Sequence, residues 1–153
     1  MPASLTVRAV RPGDLEHWLP LWEGYNAFYG RSGATALPED VTRATWGRFF
    51  DPGEPVHALV AESAGRLVGL AHYLFHRSTI MLGPACYLQD LFTDARARRE
   101  GVGRALIDEV AAAARQAGAG RLYWHTHESN ATAMLLYDQV AERPGFVVYR
   151  KAI

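Results

Sequence analysis

The run Arg98-Arg99-Glu100-Gly101-Val102-Gly103-Arg104-Ala105 sets two glycines one residue apart, between an apolar stretch and an amphipathic one. A loop of this kind aims several backbone N–H groups at one anion. A helix start offers N–H donors without intrahelical partners and the positive end of the helix dipole, so a phosphate there is favoured. The glycines allow close approach and positive φ without a Cβ penalty. Two common phosphate loops do not fit. A P-loop needs Lys and then Ser or Thr after its last glycine, whereas Gly103 is followed by Arg104 and Ala105. The dinucleotide fingerprint needs a third glycine where Leu106 stands, and a shorter gap than the one from Thr93 to Gly101.

Further chemistry-bearing side chains cluster nearby in sequence. Gln89 and Asp90 sit inside YLQDLFT at 87 to 93, where consecutive side chains of a strand face opposite ways unless a bulge intervenes. Asp90 reads either as a proton acceptor or amine-binding carboxylate, or as a buried, hydrogen-bonded structural acid. His125 and His127 are two apart and followed by Glu128, so they point to one side of a strand. The spacing lacks a third well-placed ligand, and no metal is expected. Glu23 stands among aromatic residues that include Tyr25 and Tyr29, a set suited to a cationic amine through charge and cation–π attraction. Trp18, Trp22 and Phe28 read as plain core.

The elements that must carry these residues follow from periodicity and breakers. Leu5 to Ala9 reads as a first strand, and Pro12 with Asp14 opens a helix carrying Leu15, Trp18, Leu19 and Trp22. A second helix is expected from Pro38 to Phe50, with Val41, Ala44, Thr45, Trp46 and Phe49 inward. Val56 to Glu62 and Leu67 to Phe75, joined by Ala64, Gly65 and Arg66, read as a hairpin. The 87 to 93 strand follows, then a helix from Gly103 to Ala117 with Leu106, Ile107, Val110, Ala111 and Ala114 on one face. Leu122 to His127 is another strand, Asn130 a cap for a helix over Ala131 to Ala141, and Phe146 to Lys151 a final strand. The order βαα, three strands, then αβαβ is mixed α/β in a single domain spanning 1–153.

Composition bounds the function. At 153 residues, with 49% hydrophobic and 21% charged side chains, the chain suits one globular domain with a substantial core. Sixteen basic and sixteen acidic residues balance, which gives a nucleic-acid partner no electrostatic support. No apolar run approaches the roughly 18 residues of a membrane span, and MPASLTVRAV lacks the regions of a signal peptide. One cysteine, Cys86, excludes an internal disulfide and a cysteine-based zinc site. A soluble cytoplasmic domain, binding neither nucleic acid nor membrane, is the expectation.

Arg98-x-x-Gly101-x-Gly103 resembles the R/Q-x-x-G-x-G/A signature of the GCN5-related N-acetyltransferase (GNAT) superfamily, and the element order is similar over nearly the whole chain. YLQDLF, HESNATAMLLYD and GFVVYRK look closest to its polyamine and small-amine branch, which includes fungal histone and polyamine acetyltransferases. The resemblance implies a mixed, mostly antiparallel sheet of about six or seven strands flanked by about four helices, splayed at the acetyl-CoA site. It implies that the backbone of Leu91, Phe92 and Thr93 pairs with pantetheine, and that Arg98, Arg99, Glu100, Gly101, Val102, Gly103 and Arg104 hold the pyrophosphate. In the family an asparagine matching Asn130 helps hold pantetheine, and a tyrosine matching Tyr137 acts as general acid near the sulfur. Polyamine enzymes carry a glutamate where this chain has Gln89, beside the acid matching Asp90, so Gln89 and Asp90 complete the catalytic candidates with the direct relay altered.

The implied activity is acetyl transfer from acetyl-CoA, without a metal, to a primary amine of a small molecule such as a polyamine or amino acid. Glu23, Tyr25, Tyr29, His125 and His127 are its expected substrate-side residues. A protein lysine or N-terminal acetyltransferase, and a non-catalytic acyl-CoA sensor, stay open as alternatives. A homodimer that shields the edge of the final strand is a further expectation.

Overall fold

The computed structural model describes residues 4–153. Five strands form one sheet in the order β1-β2-β3-β4-β5: β1 (Leu5–Ala9), β2 (Val56–Ser63), β3 (Arg66–His76), β4 (Ala85–Thr93) and β5 (Arg121–Tyr123). The first four are antiparallel neighbours, and β5 runs parallel to β4. Four α-helices cover the sheet: α1 (Leu15–Phe28), α2 (Glu39–Arg48), α3 (Val102–Gln116) and α4 (Ala131–Val140). The α/β class, the hairpin and every helix agree with the sequence reading. No helix among the described residues is long and apolar enough to cross a membrane.

The hairpin forms because Ala64 and Gly65 both take positive φ, 52° and 73°, which matches the twist of the strands they join. Alternation along β2 and β3 then sends side chains to two cores. Leu59, Ala61, Ala71 and Tyr73 pack under α3 with Leu106, Ile107 and Val110. Val60 and Leu70 pack on the other face, beneath Trp18, Leu21, Trp22 and Tyr25 of α1. Gly24 brings α1 close to the sheet, because a Cβ there would sit 2.8 Å from the Phe92 ring.

Four expectations change. The strand expected from Leu122 to His127 ends at Tyr123, so His125 and His127 lie on the segment that follows it and not on one side of a strand. Phe28 is not core; it is 57% exposed. On α2, Val41 and Ala44 are exposed, while Thr45, Trp46 and the C-cap residue Phe49 are half-buried. The final strand does not form: residues 144 to 153 carry no strand, and the sheet has five strands rather than six or seven. The consecutive apolar residues Phe146, Val147, Val148 and Tyr149 are 66 to 92% exposed, and a strand exists only where a neighbour takes its backbone hydrogen bonds.

Candidate active site

The site begins at a break in the sheet. Strand β5 pairs with β4 only at Ala85, Cys86 and Tyr87, opposite Arg121, Leu122 and Tyr123. Beyond Tyr87 the two strands part, so the edge of β4 from Leu88 to Thr93 has no strand partner on that side, while its other edge stays bonded to β3. Leu91, Phe92 and Thr93 lie on this opened length. Extended backbone with free N–H and C=O groups suits an amide-bearing arm.

A bulge sits in the same strand. His72 pairs with Asp90 but Tyr73 pairs with Leu88, so Gln89 is the extra residue. The bulge reverses the side-chain alternation. Cys86, Leu88 and Leu91 belong to the α3-side core while Phe92 belongs to the α1 side, and Gln89 and Asp90 both reach one cleft. Strict alternation would have separated them.

Asp90 is buried and tightly held. Its Oδ2 lies 2.9 Å from His72 Nδ1, and the Trp18 indole N–H donates to His72 Nε2 at 3.1 Å. An indole nitrogen only donates, so Nε2 accepts and the ring proton is on Nδ1, directed at Asp90. The Tyr25 phenol stands close to the same carboxylate, and both residues line one cleft.

That cleft encloses about 1030 Å³ between α1, α2 and the parted strands. Trp22, Tyr25, Tyr29, Tyr87 and Phe49 give it aromatic walls. Burial, and then the nearby Asp90 carboxylate, push the Tyr25 and Tyr29 phenols upward, with Arg31 opposing. Both tyrosines stay protonated at neutral pH. His125 and His127 line the same cleft, but they do not bond to each other: His125 Nδ1 is 3.2 Å from the Tyr87 hydroxyl, and His127 Nδ1 is 2.6 Å from Ser129 Oγ. Glu23 is exposed on α1 and is not part of the lining. No group of three His, Cys, Asp or Glu among the described residues is arranged around a metal site.

Tyr137 stands at the split itself. It packs edge-on against Trp124 at 5.5 Å and lines a small cavity of about 20 Å³ with Tyr25, Tyr29, Gln89 and Leu91, room for about one water. Burial pushes its phenol up to about 12. Asn130 occupies the cap position of α4, but its side chain does not cap; its Nδ2 donates to Thr126 Oγ1 at 3.2 Å.

At the far end, Gly101 takes φ of 80° and opens α3, a left-handed cap that a side chain would strain. The first helical bond there runs from Ala105 N–H to Gly101 C=O, so the N–H groups of Val102, Gly103 and Arg104 have no partner inside the helix. Arg98, Arg99 and Glu100 precede them, exposed, with Arg99 also left-handed at φ 68°. Arg104 is already engaged, donating to Gln139 Oε1 at 2.9 Å. Free amides, a helix dipole and two exposed guanidinium groups form a donor set that fits a pyrophosphate.

The sequence reading did not single out His72, Tyr87, Asn26 or Arg48. A histidine in the apolar run LVGLAHYLFH carried the one available signal, since a buried imidazole needs partners.

Comparisons with known proteins identify the family and the fold. The profile of the Acetyltransferase (GNAT) family matches residues 18–141. The chain is 36% identical over 149 residues to the D-amino-acid N-acetyltransferase HPA3 of Saccharomyces cerevisiae, covering 96% of this chain and 90% of the yeast protein. It is 29% identical over 147 residues to an uncharacterized N-acetyltransferase, YhfO, of Bacillus subtilis, covering 95% of each. An aminoglycoside N-acetyltransferase solved in complex with CoA shares the fold, with a TM-score of 0.82 at 18% identity over 99% of this chain and 97% of that one. A split sheet, a bulge at Gln89 and an amide-rich loop at Gly101 thus stand in a chain of matching family, which belongs to the GNAT acetyltransferases and is an acyltransferase that uses acetyl-CoA.

Proposed function

We propose that the protein transfers an acetyl group directly from acetyl-CoA to the primary amine of a small molecule. The observation that carries this reading is the Asp90 carboxylate, held by His72 on the lining of an aromatic-walled cleft that meets the split between β4 and β5. Bound acetyl-CoA supplies an activated acetyl carbonyl and a thiolate leaving group. The chain's own residues supply the rest. Arg98, Arg99 and the amides of Val102 and Gly103 hold the diphosphate, and the open edge at Leu91 to Thr93, with Asn130, aligns the arm. Tyr137, kept protonated by burial, donates the proton that the leaving thiolate needs.

An amine with a pKa of about 10 is only about 0.1% neutral at pH 7, so a proton acceptor is required. Asp90 serves as that acceptor or as the anchor of the ammonium, and the neutral Gln89 beside it positions rather than ionises. Tyr25 and Tyr29 add cation–π attraction, while His125 and His127 form the opposite wall. Cys86 is sealed in the α3-side core with its thiol pushed up to about 11, which favours direct transfer over a cysteine relay. Leu37, Val41 and Phe49 reach over the cleft from the α2 side, a cover that favours a compact acceptor over a lysine in a protein. The yeast relative's name, which specifies amino acids, points the same way.

Release of free CoA should be measured across polyamines, amino acids and lysine peptides. Small amines are expected to exceed the peptides by at least about tenfold in kcat/KM. Turnover confined to the peptides would overturn the reading, and tight acetyl-CoA binding with no turnover would identify a sensor. Tyr137→Phe should retain acetyl-CoA binding and lower kcat roughly 10- to 1,000-fold; wild-type turnover would hand the acid role to water.

We infer in addition that two copies associate through residues 146 to 149. The outer edge of β5 carries no strand, and the apolar run that would cover it leaves its own copy's edge unpaired. A second copy satisfies both at once.

A further inference from the structure

The cleft holds more positive charge than an all-cationic substrate would call for. Arg31, Arg48 and Arg150 line it against the carboxylates of Glu54 and Asp90. Arg48 and Arg150 are exposed, but Arg31 is half-buried and built into place. Its Nε donates to Asn26 Oδ1 at 2.7 Å, and its backbone N–H donates to Asn26 C=O at 2.8 Å. Asn26 is itself buried, 4% exposed, and anchored by its Nδ2 on the Trp22 carbonyl at 2.9 Å. The guanidinium lies 5.9 Å from the Tyr25 ring centroid and 5.5 Å from that of Tyr29. Its two terminal nitrogens have no hydrogen-bond partner, and no carboxylate pairs with it, among the described residues.

An arginine fixed at Nε while both Nη groups stay free presents a planar donor fork, the geometry that takes a carboxylate in two parallel bonds. The same two tyrosines feel Asp90 and Arg31, so opposite charges flank one aromatic wall. A ligand matching that layout carries both an ammonium group and a carboxylate. Resting on the small-amine reading above, we propose that the acceptor is an amino acid with a free carboxylate, and that Arg31 is the residue that recognises this carboxylate. A polyamine places a second cation where Arg31 stands, which costs affinity through like-charge repulsion.

The test varies only the carboxylate. D- and L-phenylalanine, phenylalaninamide and phenethylamine share one side chain, and spermidine serves as the cation-only control. Initial rates of CoA release should give the free acid, in one enantiomer or both, a kcat/KM at least about tenfold above the amide and the amine. Arg31→Gln should lower kcat/KM for the acid by about 10- to 100-fold, the scale of a charge-assisted hydrogen bond. It should leave the KM for acetyl-CoA unchanged and lower the rate with the acid far more than that with phenethylamine, so that the acid-to-amine ratio falls. Arg31→Lys should recover part of the preference through charge without the fork. A general structural defect would lower all acceptors alike, and the acid-to-amide ratio separates the two cases. Equal wild-type rates for acid and amide, or an unaltered ratio in a folded Arg31→Gln protein, would overturn the assignment while leaving the small-amine reading standing, as would turnover of spermidine with none of the carboxylated amines. Acetyl-CoA binding without turnover of any amine would remove both.

Discussion

The two sides of the cleft are built differently. Every buried residue of the chain lies at or before Ala114, and none of the residues from Arg115 to Ile153 is buried. The wall made by α1, β3 and β4 is locked: Trp18, His72 and Asp90 form a connected buried network, and Trp18 and Trp22 stack at 5.5 Å. The wall made by β5 and α4 rests on half-buried Trp124, Leu136 and Tyr137 against the α3-side core. A buried floor thus faces a wall that rests on the core through half-buried side chains. In an acyltransferase the division has a use, since charge placement needs rigidity while coenzyme entry and product release need the split to open.

The sharpest break of this contrast compares two histidines. His72→Leu leaves the Trp18 N–H and the Asp90 carboxylate buried without their partner, and should cost about 3 to 5 kcal/mol. His127→Ala on the exposed wall should stay within about 0.5 kcal/mol. Urea unfolding of both, monitored by tryptophan fluorescence, decides the matter. Similar small losses would mean that the network contributes no special rigidity.

A smaller effect is expected where the two walls touch. A Cβ at Gly103 would lie 3.2 Å from Leu136 Cδ2, so α3 meets α4 at the loop that offers its amides to phosphate. Gly103→Val is expected to push α4 away and crowd the diphosphate approach. Acetyl-CoA binding should weaken by about 10- to 100-fold, the scale of one or two lost amide contacts, with the melting temperature nearly kept. Isothermal titration measures it, and wild-type affinity in the folded variant would remove the loop as the phosphate site.

These contrasts explain what the sequence could and could not reveal. The Gly101 loop, the Ala64–Gly65 turn and the face of α3 are local signals, set by residues a few positions apart. The role of His72 is non-local, because its partners Trp18 and Asp90 stand 54 and 18 positions away. Glu23 looked useful because it sits between Trp22 and Tyr25, yet on a helix neighbours in sequence point apart, and it is Arg31, beyond the helix end, that folds back over Tyr25 and Tyr29. The bulge at Gln89 has no signature in its own residues, since YLQDLFT is equally compatible with strict alternation. GFVVYRK has the composition of a strand, but composition cannot say which edge it joins.

The tail is where the contrast can be tested most gently. If a second copy covers Phe146 to Tyr149, the exposed wall of the monomer is an inner wall of the dimer, and the asymmetry between the walls narrows on assembly. Phe146→Ser with Tyr149→Ser removes two of the largest exposed apolar side chains without touching a buried residue. Monomer stability should change by less than about 0.5 kcal/mol, whereas the dimer dissociation constant should rise by about tenfold or more, since each buried aromatic contributes on the order of 1 to 3 kcal/mol. Sedimentation equilibrium across a concentration series reads this directly. A wild-type chain that stays monomeric at the highest concentration would remove the dimer and leave the tail's exposure a property of the free molecule. A dimer insensitive to the double substitution would move the interface to another surface, and His125 and His127 would then remain an outer wall in the assembly.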